Sequence, residues 1–181
     1  MLRREPLIPE LLVLQPSVAA DGTFTLTGVT PGEYRLTVNP RGMGGYVKYA
    51  RYGSIDALNP PFHISGPGQL DIVISPNAGS VDAVIRIDAN KTFPDATVAL
   101  VPDPPRRQRF DLYYAAATDD SGRVHLDTVA PGDYRIFAWD DVPADSWQDP
   151  DFIRTYEHLG KPVRIIEGTR EHVELDLIEA R

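Results

Sequence analysis

The sequence predicts an all-β protein of two tandem sandwiches, and three observations predict it. One phrase occurs twice, at residues 22–36 and 122–136, with Gly22/Gly122, Leu26/Leu126, Val29/Val129, Pro31/Pro131, Gly32/Gly132, Tyr34/Tyr134 and Arg35/Arg135 matching without a gap. Short runs of alternating apolar and polar residues recur along the chain, the pattern of half-buried strands. The 17 prolines and 14 glycines fall between those runs, where turns belong. Two units in 181 residues leave roughly 80–100 residues each, enough for a core. The expected units are 1–78 and 79–181.

In the second unit the alternation of Ser80-Val-Asp-Ala-Val-Ile-Arg-Ile87 reads as the first strand. Residues 91–95 form a turn, 96–101 a second strand stopped by Pro102-Asp-Pro-Pro105, and 110–118 a third. Asp119-Asp-Ser-Gly122 is a hairpin turn in which Gly122 supplies a positive φ. Residues 123–127 and 134–139 flank the Pro-Gly turn, and 162–166 and 172–178 complete seven strands, the number and spacing of a sandwich. One short helix interrupts them near 150–160. Asp149 caps it, Pro150 takes the first helical position and Gly160 the C′ position, while Phe152, Tyr156 and Leu159 share one face.

In the first unit a strand is expected at about 10–15, then the pair 22–28 and 33–38, then 45–52, 62–65 and 69–75. No counterpart of the 81–87 strand precedes them, which leaves a sheet edge open or paired elsewhere. On that ground the chain is read as the C-terminal part of a longer protein, with that protein's other domains as partners; a naturally trimmed domain is the alternative.

Composition narrows the function. A hydrophobic share of 42% fits a folded domain. The net charge of −8 argues against nucleic acid, which needs clustered Lys and Arg. The one basic cluster, Arg106, Arg107 and Arg109, reads as a solvated loop. No stretch is apolar and long enough to span a membrane, and the N-terminal residues do not form a signal peptide. Without cysteine there is no disulfide, thiolate metal site or Cys nucleophile.

For ligand binding the candidates are Trp139 and Trp147, with Tyr113 and Tyr114, as an aromatic platform for sugar rings or peptide. Tyr113 and Tyr114 are adjacent, so they point to opposite faces and one is expected outward. Tyr46, Tyr49 and Tyr52 offer a second strip, with sheet packing as the alternative. Asp140, Asp141, Asp145, Asp149 and Asp151 read as a solvated loop, with calcium binding the alternative. No cofactor, metal site or catalytic residue is expected: His63, His125, His158 and His172 form no H-E-x-x-H motif, and there is no nucleophile elbow or P-loop. Tyr34 and Tyr134 are assigned to structure, each hydroxyl seeking a backbone partner.

The repeated D-x-G-x-[FV]-x-L-x-x-V-x-P-G-x-Y-R phrase resembles the carboxypeptidase regulatory-like domain, a prealbumin-like β-sandwich found in tandem in large bacterial proteins. Residues 78–102 resemble the opening of such a domain, and 137–163 the end of tandem copies. The resemblance implies a non-catalytic module, a rigid spacer or protein-interaction domain, in a periplasmic, outer-membrane-associated or extracellular protein. A carbohydrate-binding module is the alternative, and an enzyme with a site not visible in the sequence is the third reading. Such domains accompany zinc carboxypeptidases without holding their zinc. The related transthyretin-like hydrolases end in Tyr-Arg-Gly-Ser, whereas this chain ends Ile178-Glu-Ala-Arg181.

Overall fold

A computed structural model describes residues 2–5, 16–40, 42, 44–88 and 91–180. It is all-β apart from short helical turns. The strand expected at 10–15 lies outside the described residues. The chain divides into two compact units, Met1–Pro40 with Val47–Ile74, and Arg41–Tyr46 with Ser75–Arg181.

In the first unit, strand β1 (Leu2–Glu5) pairs antiparallel with β2 (Gly32–Leu36), which pairs antiparallel with β5 (Phe62–Ile64). A second sheet has the order β4 (Ile55–Asp56), β3 (Tyr46–Tyr52), β6 (Leu70–Ser75). Leu2, Leu36, Val47, Phe62 and Ile64 are buried together in the core of this unit.

The second unit runs β7 (Gly79–Asp88), β8 (Lys91–Thr92), β9 (Thr97–Pro102), β10 (Tyr114–Ala117), β11 (Arg123–Val129), β12 (Gly132–Trp139), β13 (Lys161–Ile165) and β14 (Arg170–Asp176). One sheet has the order β10-β9-β12-β13 and is antiparallel throughout. The other has the order β11-β7-β14, with β8 on β7. Val81, Ile85, Leu100, Leu126, Ile136 and Val173 fill the space between them. Alternation along β7 and β12 does this directly, since successive side chains point to opposite faces.

Residues 91–95, expected as a turn, begin with the two residues of β8, which pair back onto β7 before Pro94-Asp95 turn. Equivalent strands reveal a larger difference. β2 meets β5 as β12 meets β13, Gly32 facing Ile64 and Gly132 facing Ile165. β1 takes the place of β9, with Leu2 opposite Leu36 as Leu100 lies opposite Ile136. Beside β6, where the second unit has β7 against β14, the first unit has β3, a strand drawn from the connection between β2 and β5. Residues 23–27, the counterpart of β11, carry a strand's pattern but form no strand. β11 pairs only with β7, and the first unit has no β7 equivalent among its described residues to hold its copy in a ladder.

The helix α1 (Pro150–Tyr156) is capped by Asp149, whose carboxylate accepts the Asp151 N–H at 2.8 Å. It lies on the outer face of the β10-β9-β12-β13 sheet through Phe152, Ile153 and Tyr156. Leu159, expected on that face, falls in a following 3-10 turn and is exposed. Gly160 is not a left-handed cap, for its φ is −68°. It is glycine because a Cβ there would strike the Phe137 ring.

Candidate functional site

Of the aromatic residues expected to form a platform, Trp139 and Tyr113 belong to a second core with Trp147 packed against it, and Tyr114 belongs to the core between the sheets. β12 is buried on both faces: Ile136 and Ala138 point between the sheets, while Phe137 and Trp139 point outward beneath α1. Trp139 is 0% exposed. Its ring stacks on Phe137 with centroids 5.1 Å apart, and Phe152 and Tyr156 close it at 5.6 and 5.9 Å. A sugar ring has no access to either face. Burying side chains of this size stabilises the fold by roughly 2–3 kcal/mol each, which explains their place in the core.

Tyr113 and Tyr114 do point to opposite faces, yet neither is outward. Tyr113 packs in the outer cluster and donates to the Arg107 carbonyl at 3.0 Å, with burial raising its hydroxyl pKa. Tyr114 packs between the sheets, and its oxygen accepts the Ala130 N–H at 3.0 Å. The expectation of an outward tyrosine fails because the outer face of this sheet is covered. Trp147 is half-buried against the same outer cluster, so the Trp139–Trp147 pair does not form an exposed surface.

The basic cluster is also structural rather than solvated. Arg109 is 8% exposed and forms an ion pair with Asp111. Arg107 meets both oxygens of Glu157 at 2.8 and 2.7 Å, and Arg135 reaches the same carboxylate at 3.0 Å. Arg106 donates to the Pro131 carbonyl at 3.1 Å and lies over the Tyr134 ring. Gly132 leaves the space this needs, since a Cβ would collide with the Arg106 guanidinium.

The acidic segment is exposed at Asp141, Asp145, Asp149 and Asp151, and apart from the Asp140–Ala180 bond the contacts of its carboxylates are local. Asp140 accepts the N–H groups of Ala180 and Asp141, and these backbone donors, Ala180 foremost, lower its pKa. Asp149 caps the helix, Asp145 accepts from Gln148, and Asp151 pairs with Arg154. Among the described residues no three His, Cys, Asp or Glu side chains are grouped to hold a metal ion. Of the tyrosine strip, Tyr49 is exposed with Arg51 over its ring. Tyr52 is half-buried and donates to the Gly66 carbonyl at 2.7 Å, and Tyr46 is buried and donates to Glu167 at 2.9 Å.

The polar constellation that sequence reasoning missed lies on the outer face of β11-β7-β14. Register puts His125 and His172 on either side of Asp82. His125 Nδ1 is 2.8 Å from one carboxylate oxygen and His172 Nδ1 is 3.4 Å from the other, while Arg170 bonds both oxygens. The Arg170 guanidinium, with His125 adding to it, holds the Asp82 carboxyl far below the usual range. A carboxylate so stabilised is a poor base, and among the described residues no serine or threonine hydroxyl hydrogen-bonds to either imidazole. The row ties three strands together and lines a groove of about 670 Å³. Each residue is an unremarkable outward position in its own strand, so only the strand order and register could have grouped them.

No protein-family model matches the chain, and no curated protein matches it. Several solved structures are similar in shape. A Pseudomonas aeruginosa protein provisionally described as carbohydrate-binding has a TM-score of 0.38 at 15% identity, over 55% of this chain and 88% of its own. GBS52, the minor pilin of Streptococcus agalactiae, has a TM-score of 0.40 at 14% identity, over 89% of this chain and 66% of its own. BcpA*(D312A), a form of the major pilin subunit of Bacillus cereus, has a TM-score of 0.33 at 17% identity, and the match takes in 59% of this chain and only 32% of the pilin. At such values these likenesses carry no argument about what this chain does.

Proposed function

We propose that the chain is a non-catalytic module of tandem carboxypeptidase regulatory-like sandwiches, acting as a rigid spacer or protein-interaction element within a longer exported or cell-envelope protein. One observation carries the spacer half. The first and last strands of the second unit, β7 and β14, are neighbours paired in parallel from Arg170↔Ser80 to Asp176↔Arg86. Tension entering at Gly79 and leaving at Asp176 pulls such a pair lengthwise, so its rungs share the load instead of opening one at a time. Two ion pairs cross the same seam, Arg170–Asp82 and Arg86–Glu174. Beyond β14 the chain is tied to the opposite sheet, where Ile178 donates to the Ala138 carbonyl at 2.8 Å.

The test is single-molecule pulling, in which unfolding under load reads a rate rather than an equilibrium. Handles at Gly79 and Asp176 should give one cooperative rupture of the second unit. Its force should be clearly higher than with handles at Arg123 and Trp139, which peel strands apart. Val173→Pro removes a donor from the seam and should lower the first force selectively. Equal forces in both geometries would sink the spacer reading.

A further inference from the structure

Two imidazoles meet one carboxylate across the seam of the second unit. Asp82 on β7 has His125 of β11 on one side and His172 of β14 on the other. His125 Nδ1 lies 2.8 Å from one of its oxygens and His172 Nδ1 lies 3.4 Å from the other. Both rings are open to solvent, and Asp82 between them is partly covered. A neutral imidazole can donate only a hydrogen bond to the carboxylate, whereas a protonated one adds a full positive charge.

The surrounding charges decide what that added charge does. On β11 His125 stands between Arg123 and Asp127, each two residues away and on the same exposed face. On β14 His172 stands in the same way between Arg170 and Glu174. Each strand therefore offers its histidine one cation and one anion. Along β7 the residues two away from Asp82 are Ser80 and Val84, which carry no charge. Farther out, Arg86 pairs with Glu174, Lys161 donates to the Glu174 carbonyl, and Asp119 accepts the amides of Ser121 and Arg123. With the strand neighbours balanced, the contact across the row tips the sum toward attraction, since Coulomb energy falls with distance. Arg170 bonds both oxygens of Asp82 and offsets part of that attraction, so each ring gains what an exposed ion pair gains and no more.

We propose that the His125–Asp82–His172 row is an acid-tightened clasp, in which protonation of both imidazoles binds β11 and β14 to β7 more firmly than at neutral pH. Histidine changes charge between about pH 5 and pH 8. The gain is present on the acid side of that range and lost as pH rises through it. The partner charge is there throughout, because Arg170 keeps Asp82 ionised far below the usual carboxylate range. The proposal deepens the spacer reading and rests on it for its use: the seam that carries tension through β7 and β14 would be strengthened in mild acid.

The test is urea unfolding of the full chain followed by tryptophan fluorescence. Trp139 and Trp147 are the chain's two tryptophans and both lie in the second unit, so the signal reads that unit alone. The quantity compared is the ratio of unfolding constants, Asp82→Asn over the unsubstituted chain. Between about pH 8 and about pH 5.5 this ratio should rise about two- to fivefold for each imidazole. In a His125→Gln/His172→Gln background it should stay the same. Should Asp82→Asn fail to fold, the unsubstituted chain and the double histidine variant give the same reading, the acid gain being present in the first and lost in the second. A ratio that is equal at both pH values, a ratio that falls in acid, or a rise that survives without the imidazoles would overturn the clasp. No load is applied, so the clasp and the spacer reading fail independently of each other.

Discussion

Tyr134 and Tyr34 do the same work in the two units. Each hydroxyl donates to the carbonyl four residues earlier, Ala130 and Thr30, at 2.8 Å in both. The bond closes the Pro-Gly turn against the strand that leaves it, which is why the Pro-Gly-x-Tyr spacing repeats without a gap. Burial, with Tyr114 adding to it, raises the Tyr134 hydroxyl pKa strongly, so the group stays a neutral donor. Tyr134→Phe leaves a buried carbonyl without its partner and should cost about 1–2 kcal/mol, read as a lower urea midpoint at unchanged slope. Tyr34→Phe should cost the first unit less, about 0.5–1 kcal/mol, because its bond is only partly buried. An unchanged midpoint for Tyr134→Phe would mean that water replaces the lost donor.

At the scale of elements, β7 is the organising strand of its sheet, and Asp82 at its centre couples it to both neighbours. The folded-state pKa of Asp82 is depressed, so its contribution is complete above the unfolded value of about 3.9 and is lost as pH falls toward the folded one. The stability advantage of the unsubstituted chain over Asp82→Asn should therefore shrink between about pH 4 and pH 2. Arg170 is 61% exposed, so added salt should reduce the same advantage. An advantage independent of pH would contradict the Arg170–Asp82 account. The strands around this seam are legible in the sequence because β7, β11 and β14 alternate cleanly. Alternation cannot report whether the second face of a sheet is covered. Trp139, Tyr113 and Tyr114 look like platform residues for that reason, although their outward side lies under α1 or in the facing core. Nor does alternation supply a neighbour, and 23–27 has a strand's pattern without a strand's ladder. The His125–Asp82–His172 row is a property of register alone.

For the molecule as a whole, two compact units with separate cores imply more than one unfolding event. The second unit buries side chains on both faces of its β10-β9-β12-β13 sheet, between the sheets and under α1. The described core of the first unit is one cluster, and its Phe24–Thr27 edge forms no ladder. Less apolar burial among the described residues means a lower melting temperature, so the first unit should melt first. Leu36 and Ile136 stand at the same place in the repeat, each buried opposite an apolar partner, Leu2 and Leu100. Leu36→Ala and Ile136→Ala should each cost about 2–5 kcal/mol. In calorimetry Leu36→Ala should lower only the first transition and Ile136→Ala only the second. Were both to move one shared transition equally, the two cores would be acting as a single cooperative structure, and the repeat would describe the chain's sequence without describing how it folds.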